Sequence, residues 1–237
     1  MSSNAPNSIE TIVCLANSRK NSGRCVAGKR TSDNSWFRPI SNQAGHAISE
    51  RDRRYSDGKT AQLLDVIEIP CIEKRPLGHQ RENVLIDDGF YWRKKRSASW
   101  DDVLGLVDRG ADLWVDGFSA YYNRNNRVPE KLIDEKGGSL RLIELDEMVL
   151  HAESKAPDFG NMKQIVRASF NYCGQCYKLD VTDPEFECAC LEKGSGEYRI
   201  PSVVACISLS ELHTNQNGET FAYKLVASII TKERARR

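Results

Sequence analysis

Short apolar segments rich in β-branched residues alternate with polar turns along most of the chain. Near its start, the segments 9–16 (IETIVCLA) and 24–28 (RCVAG) are separated by the polar stretch NSRKNSG, which predicts a strand, a turn and a second strand. The segments 36–40 and 63–71 also predict strands, each containing a proline near its end. The sequence therefore predicts four strands before residue 75.

One amphipathic helix is predicted at residues 100–109. Ser99 can cap its start, and Gly110 can adopt the left-handed conformation that ends a helix. The residues at helical spacing that should face a core are Trp100, Val103, Leu104 and Val107. From Gly110 to Gly138 the chain is rich in turn formers, which predicts a long loop excursion with a short helix near Pro129.

The second half returns to the strand pattern. Residues 139–154 predict one bent strand or two, and residues 153–161 contain Pro, Gly and Asn without a periodic apolar face. The sequence therefore predicts a first domain at 1–154 with a helical insertion and a second, compact all-β domain at 162–237. The strands predicted after the linker are 165–172, 175–183, 198–210 and 221–230.

Composition agrees with a folded protein that does not enter a membrane. The chain has 237 residues, of which 40% are hydrophobic and 28% charged, so it can bury a core. No apolar stretch approaches the roughly 20 residues that span a bilayer, and the start MSSNAPNSIE lacks the features of a signal peptide. We therefore expect a cytoplasmic location, where the eight cysteines would be reduced.

The formal net charge of +1 hides an asymmetry between the two parts of the chain. Residues 1–96 contain 17 Lys and Arg against 11 Asp and Glu, a net charge of +6, whereas the remainder has 17 against 22, a net charge of −5. Positive potential in the first part would attract a polyanion. The alternative is that these charges are scattered over the surface and only solvated.

Several segments together resemble a known family. They are VCLANSRKNSGRCVAGK, SWFRPIS and DVIEIP in the first half, and YKLDVTDP, ISLSE and YKLVASII in the second. In their order and spacing they resemble the bacterial dual OB-domain-containing proteins. The resemblance implies two tandem OB-like barrels. Together with the helix and the long loop excursion predicted above for the first domain, it gives a mainly β fold with some α structure. It brings no catalytic residues.

Two polar segments are candidates for nucleic-acid binding. The first is the predicted turn, whose cations and backbone amides could hold phosphate, together with an aromatic and a cation on a neighbouring strand. Its residues are Asn17, Ser18, Arg19, Lys20, Arg24, Trp36 and Arg38. The alternatives are a soluble hairpin turn and a core position for Trp36.

The second candidate segment joins two aromatics to four consecutive cations. Rings that stack on bases beside cations that neutralise phosphates suit a single-strand groove, although a solvated basic loop explains the pattern almost as well. Its residues are Tyr91, Trp92, Arg93, Lys94, Lys95 and Arg96.

Four cysteines have spacings that are compatible with a structural zinc ion. Cys173 and Cys176 form a C-x2-C pair, and Cys188 and Cys190 form a C-x-C pair that follows after an interval of eleven residues. Buried apolar packing is the alternative for each. Apart from this zinc, no cofactor is expected.

Catalytic motifs are absent from the sequence. There is no phosphate-binding G-x-x-x-x-G-K-[ST] loop, no G-x-S-x-G elbow and no H-E-x-x-H pair, so no residue is assigned a catalytic role. A triad assembled from residues distant in sequence would leave no such motif.

The sequence therefore favours a non-catalytic binding module that recognises single-stranded DNA or RNA or a nucleotide. It would act as an accessory subunit of a bacterial system, for example a defence system. The alternatives are an adaptor that binds a partner enzyme encoded nearby, through its sheet edges or the 110–138 excursion, and a nucleotide-processing enzyme.

Overall fold

The computed structural model describes residues 5–20, 23–134, 137–155 and 163–236. The chain divides into two compact units. One comprises Met1–Leu106 with Glu135–Gly138, and the other comprises Val107–Asp134 with Ser139–Arg237. Each unit has its own β-sheet and its own core.

The sheet of the first unit closes into a five-stranded barrel. Its strands follow the order β1-β2-β3-β5-β4 and return to β1, with β3 and β5 parallel and the other pairs antiparallel. A sixth strand, β6, pairs with β4 outside this ring. The elements are β1 (Ser8–Lys20), β2 (Gly23–Arg30), β3 (Trp36–Ile40), β4 (Asp65–Lys74), β5 (Asn83–Ile86), β6 (Arg93–Ser97), α1 (Trp100–Gly105) and a 3-10 helix (Ala44–His46).

Closure of the first barrel depends on the length of β1. Its N-terminal half pairs with β4 and its C-terminal half pairs with β2, and a register shift falls between Cys14 and Ala16. At Gly28 of β2, a Cβ atom would lie 2.1 Å from the carbonyl oxygen of Val13. Only glycine allows the two backbones to approach this closely.

The second unit contains a barrel of the same topology. The ring runs β8-β9-β10-β13-β11 and returns to β8, and the β10–β13 pair is again parallel. The elements are β7 (Arg127–Pro129), a 3-10 helix (Glu130–Leu132), β8 (Leu140–Lys155), β9 (Lys163–Tyr172), β10 (Gln175–Val181), α2 (Pro184–Lys193), β11 (Gly196–Leu209), β12 (His213–Thr214), β13 (Thr220–Thr231) and a 3-10 helix (Arg234–Arg236). The prediction of two tandem OB-like barrels is confirmed.

The division between the units differs from the predicted domain boundary. The predicted linker at 153–161 joins β8 to β9, and these two strands pair with each other within the second barrel. The division falls instead between Leu106 and Val107. The turn-forming composition that indicated a linker belongs to a hairpin connection, of which residues 156–162 lie outside the described part of the chain.

The predicted helix and excursion are both present in altered form. α1 begins at the predicted cap, where Ser99 Oγ accepts a hydrogen bond from the Asp102 amide and the Asp102 carboxylate accepts one from the Ser99 amide. It ends at Gly105 rather than residue 109. Near Pro129, strand β7 precedes the 3-10 turn.

Within the described residues, no helix is long and apolar enough to cross a membrane.

Candidate functional site

The polar stretch between β1 and β2 belongs to two paired strands, not to a loop. β1 continues to Lys20, β2 starts at Gly23, and Arg19 lies opposite Arg24. The hydrogen bonds between β1 and β2 therefore engage backbone amides that the predicted phosphate clamp requires. Residues 21 and 22 lie outside the described residues.

The side chains of this stretch mostly contact the protein itself. Ser18 is buried and its Oγ donates to the carbonyl oxygen of Cys25 at 3.4 Å. Asn17 Nδ2 donates to the carbonyl oxygen of Ala61 at 3.0 Å. Arg24 is half-buried, with its Nε 3.9 Å from a carboxylate oxygen of Glu50. Of the predicted cations of this stretch, Arg19 is the exposed one.

The two candidates on β3 are also held by the first barrel. Trp36 is half-buried, and the Lys29 ammonium lies 5.2 Å from the centre of its ring. Arg38 is buried and forms an ion pair at 3.2 Å with Glu82, whose side chain is equally buried. Such a pair neutralises the guanidinium inside the protein, so Arg38 does not present a charge to a ligand.

Tyr91 and Trp92 have opposite environments. Trp92 is 1% exposed within the core of the first barrel, so its indole ring is not accessible for stacking on a base, contrary to the prediction. Tyr91 is 55% exposed, with the Arg54 guanidinium 5.4 Å from the ring centre. Only Tyr91 of this pair can offer a ring to a ligand.

The four consecutive cations that follow form the exposed strand β6, and each one is paired with a carboxylate. The pairs are Arg93 and Lys95 with Glu68, Lys94 with Asp65 at 2.5 Å, and Arg96 with Asp102 at 2.6 Å. The hydrogen bond from Arg96 is the main cause that lowers the pKa of Asp102 to about 2. Because three carboxylates offset four cations, the basic run is a nearly neutral surface.

A cleft of about 610 Å³ lies beside β6 in the first barrel. Asp65 lies at its base and is 3% exposed; its carboxylate accepts hydrogen bonds from the Tyr55 hydroxyl and the Gln62 amide. Burial and the Asp65 hydrogen bond raise the pKa of Tyr55. The charged groups lining this cleft are thus largely committed to one another.

In the second barrel, the segment Val107–Asp134, here called the arm, fills the gap between β10 and β13. These strands pair directly only at Asp180–Val181 with Leu225–Val226. Along the rest of the gap, β7 of the arm pairs with β13, and Arg124 forms a bridge with Lys178 of β10. The arm thus completes the wall of the barrel.

A buried polar cluster fixes the arm in this gap. Lys224 of β13 is 0% exposed, and its Nζ donates to the Val115 carbonyl oxygen at 2.7 Å and to Asp116 Oδ1 at 2.9 Å. Tyr177 of β10 donates its hydroxyl to Asp116 Oδ2 at 3.0 Å. Burial lowers the pKa of Lys224, against the opposing effect of Asp116. One carboxylate therefore links both strands to the arm.

The arm places two tyrosines over the outer face of β8, β9 and β10. Tyr121 is 92% exposed and Tyr122 is 52% exposed, and their rings meet edge to face with centres 4.7 Å apart. They border a cleft of about 620 Å³, here called the tyrosine cleft. Its other lining residues are Asn123, Arg124, Asp146, Glu147, Val149, Ser169, Phe170, Asn171, Cys176, Tyr177 and Lys178.

The cations around the tyrosine cleft fall into two classes. Arg167 is buried and paired with Glu153 at 2.8 Å and Asp180 at 3.1 Å, and its guanidinium lies 5.4 Å from the Tyr122 ring centre. Arg124 is exposed, and its side chain has no ion pair or hydrogen bond with any described residue. Arg124 is therefore the cation that a ligand in this cleft would meet without displacing a carboxylate.

Three polar side chains form a chain of contacts on the same outer face. His151 Nε2 lies 2.8 Å from Ser169 Oγ, and His151 Nδ1 lies 3.1 Å from a carboxylate oxygen of Glu197. Ser169 is half-buried and lines the tyrosine cleft. The three residues come from β8, β9 and β11, which is why no sequence motif connects them.

The four candidate zinc ligands are not gathered into one site. Cys173 and Cys176 lie at the β9–β10 hairpin and Cys188 and Cys190 on α2, with Cys190 buried and the other three exposed. Cys176 Sγ contacts Asn171 and Cys188 Sγ contacts Glu192. Within the described residues, no group of three or more His, Cys, Asp or Glu could hold a metal ion.

Sequence reasoning missed the tyrosine cleft. The signal is present in YYNRNN at 121–126, two aromatics near a cation and several amides, a pattern similar to that of residues 91–96. Because the segment around it has no periodicity, the sequence predicts no strand or helix that would position these side chains. The amides of Asn125 and Asn126 hold the arm, accepting from the backbone amides of Gly117 and Ala120.

Comparison with known proteins identifies a family. The model of the dual OB-containing domain matches residues 10–229, which spans both barrels. No curated protein and no solved structure matches the chain significantly. Because the matched region covers nearly the whole sequence and its two barrels are those described above, the chain belongs to the dual OB-containing domain family.

Proposed function

We propose that this chain is a binding module that recognises single-stranded nucleic acid on the outer face of its second barrel. The observation that supports this most directly is the tyrosine pair beside an uncommitted guanidinium. Tyr121 and Tyr122 expose their rings at the edge of a cleft, and Arg124 follows two residues later. In OB barrels, the face of the second and third strands is the surface that binds oligonucleotides, and here those strands are β9 and β10.

Each part of this surface has a distinct task in the proposal. An exposed tyrosine ring stacks on a base, an interaction worth about 1–3 kcal/mol per base and largely independent of sequence. Arg124 neutralises a phosphate, and the side-chain amide of Asn171 lies within the same cleft to contact base edges. Bases in a duplex are stacked on one another, so a surface that works by stacking favours single strands.

The charge of the protein sets the expected strength of binding. With a formal net charge of +1 and the β6 cations already paired, long-range attraction of a polyanion is weak. Affinity should therefore come from stacking and one or two phosphate contacts, with a shallow dependence on salt. A mononucleotide should compete, but only weakly, because it fills one stacking position.

The proposed biological setting is that of an accessory subunit of a bacterial system such as a defence system, in which this chain supplies recognition to a partner encoded nearby. The exposed ring of Tyr121 also suits a protein partner, since aromatic side chains are enriched at interfaces. An experiment must therefore distinguish binding of nucleic acid from binding of a partner protein at this face.

The test is fluorescence anisotropy with labelled single-stranded and duplex DNA and RNA at two salt concentrations. We expect single strands to bind better than duplexes, and Tyr121→Ala with Tyr122→Ala to weaken binding at least tenfold through lost stacking. Tyr91→Ala is the matched control, because Tyr91 is a similarly exposed tyrosine of the first barrel. It should change the affinity less than twofold.

Two results would contradict the proposal. A loss of affinity in Tyr91→Ala with none in the double variant would place the nucleic-acid site on the first barrel. An absence of binding at low salt would remove nucleic acid as the ligand of the isolated chain and would favour the adaptor function.

A further inference from the structure

We infer that Ser169, His151 and Glu197 form a hydrolytic centre in which Ser169 attacks a carboxylic ester bound in the tyrosine cleft. The inference goes beyond recognition of nucleic acid and does not depend on it. It rests on the two contacts of His151, at 2.8 Å to Ser169 Oγ and 3.1 Å to the Glu197 carboxylate. These are the nucleophile–base and base–carboxylate contacts that define a serine triad by geometry rather than by sequence order.

The sheet register explains how the three side chains meet. His151 of β8 lies directly opposite Glu197 of β11. On its other side, His151 lies opposite Arg167 of β9, and Ser169 is two residues further along β9, opposite Val149. Residues that are opposite or diagonal in this way share a face of the sheet, within reach of long side chains. The arrangement therefore follows from regular pairing and needs no unusual backbone.

The environment of His151 favours the tautomer that a general base requires. With the Nδ1 hydrogen directed at the Glu197 carboxylate, Nε2 has a lone pair for the Ser169 hydroxyl hydrogen. The His151 side chain is 17% exposed, whereas that of Glu197 is 68% exposed. Glu197 is therefore a positioning residue, and water weakens its contribution.

The cleft supplies space and positive charge for the substrate. Ser169 lines the tyrosine cleft, whose volume of about 620 Å³ admits a small ester. Lys178 of β10 is directly opposite Ser169 in the register and lines the same cleft. Its ammonium, which also contacts Glu153 at 3.4 Å, is the group to which the proposal assigns stabilisation of the oxyanion of a tetrahedral intermediate.

The proposed reaction has two balanced halves. Ser169 Oγ bonds to the carbonyl carbon as its proton passes to His151 Nε2. The bond from that carbon to the alkoxy oxygen then breaks, and the proton passes from His151 to the leaving alcohol. In the second half, a water molecule gives a proton to His151 as the water oxygen attacks the carbonyl carbon of the acyl-serine. The bond from that carbon to Ser169 Oγ then breaks, the carboxylic acid is released, and His151 returns the proton to Ser169 Oγ.

The first test is covalent labelling with an alkyl fluorophosphonate, located by peptide mass spectrometry. The probe reacts by loss of fluoride, and only an activated serine attacks it quickly. We expect labelling at Ser169, slowed about 100-fold or more by His151→Gln, since general base catalysis contributes about 10²–10⁴-fold. We expect Glu197→Gln to slow it about fivefold. Hydrolysis of p-nitrophenyl acetate should fall in the same order and disappear in Ser169→Ala.

Ser56→Ala is the matched control, because Ser56 is an exposed serine that lines the cleft of the first barrel and has no hydrogen bond to a histidine among the described residues. It should leave labelling and hydrolysis unchanged. Equal labelling of Ser56 and Ser169, or an unchanged rate in both His151→Gln and Glu197→Gln, would overturn the inference. Because Glu197 is mostly exposed, its variant should fold normally and tests the centre even if His151→Gln is unstable. All measurements are made without nucleic acid, so a failure of the binding proposal leaves them interpretable.

Discussion

The two barrels have the same strand order but differ in whether their exposed cations are paired with carboxylates. In both, the third strand pairs in parallel with the fifth, and the first and fourth close the ring. In the first barrel, the basic strand β6 lies against Glu68, Asp65 and Asp102, which pair its cations. In the second barrel, the arm carries Arg124 to the surface without a carboxylate partner among the described residues. A run of basic residues in the sequence therefore makes a positively charged surface only where carboxylates do not pair with it.

The connection between the third and fourth strands also differs between the two barrels. In the second barrel it contains α2, whose cap Asp183 accepts from the Glu185 amide. In the first barrel, residues 41–64 form an irregular connection, with Tyr55 inserted into the core and Arg53 bonded to the Ala61 carbonyl oxygen. The same topology thus tolerates a helix or an irregular segment at this position, provided that the core beneath it is filled.

The largest expected effect concerns the cluster that holds the arm. Asp116→Ala leaves the buried Lys224 ammonium without its carboxylate and the Tyr177 hydroxyl without its acceptor. Removing one partner of a buried pair costs about 3–5 kcal/mol, so the free energy of unfolding of the second unit should fall by that order. Hydrogen exchange should show faster opening of β10 and β13 while β1–β5 stay protected.

Asp65→Ala is the counterpart in the first barrel, since Asp65 is a buried carboxylate that binds a tyrosine hydroxyl and a lysine. It should destabilise β1–β5 and spare the second unit. Equal destabilisation of both units by either variant would contradict the view that each barrel has its own core. The double variant Asp116→Ala, Lys224→Met should recover part of the loss, because this cluster then contains no unpaired buried charge.

A smaller effect should distinguish the two basic surfaces. Arg124→Gln should weaken binding of a single-stranded oligonucleotide about fivefold. It should also reduce the slope of log affinity against log salt by the amount expected for the loss of about one phosphate contact. Lys95→Gln should change affinity less than twofold, because Lys95 is already paired with Glu68 at 3.1 Å. The measurement is the slope of log affinity against log salt. The reverse ranking of the two variants would show that β6 is the nucleic-acid surface after all.

The smallest effect is a dependence on pH at the start of α1. The Arg96 hydrogen bond lowers the pKa of Asp102 to about 2, below its value of about 3.9 in an unfolded chain. Its stabilising effect is thus fully present above about pH 4 and is lost as the pH falls toward 2. The protection factors of the amides at the first turn of α1, which compare their exchange with the intrinsic rate at each pH, should fall over that interval.

Asp102→Asn should remove most of this pH dependence and leave exchange in α2 unchanged. If the variant and the parent showed the same acid response, Asp102 would not be its source.

The strands could be predicted from the sequence because their apolar residues are contiguous and β-branched. Segments 36–40 and 63–71 coincide closely with β3 and β4, and the cap at Ser99 was visible because a capping box is local. What could not be predicted depends on contacts between distant residues. Trp92 follows an exposed tyrosine and precedes four cations, and only the closed barrel shows that it belongs to the core.

The candidate sites show the same limit. The cations 93–95 are visible as charges, but their carboxylate partners Asp65 and Glu68 lie more than twenty residues away. His151, Ser169 and Glu197 meet only through strand register. The domain boundary was misplaced because turn-forming residues mark hairpin connections as readily as linkers, and composition does not distinguish the two.

The position of the arm also sets the order in which the second barrel can be completed during synthesis. Asp116 binds Lys224, which is made 108 residues later, and β7 has no strand to pair with until β13 has left the ribosome. The contacts of the arm with β10 have both partners earlier, so the pairing of β7 with β13 is among the last contacts of the second barrel that synthesis allows. A fragment that begins at β8 would keep every strand of the ring but would lose the segment that seals it.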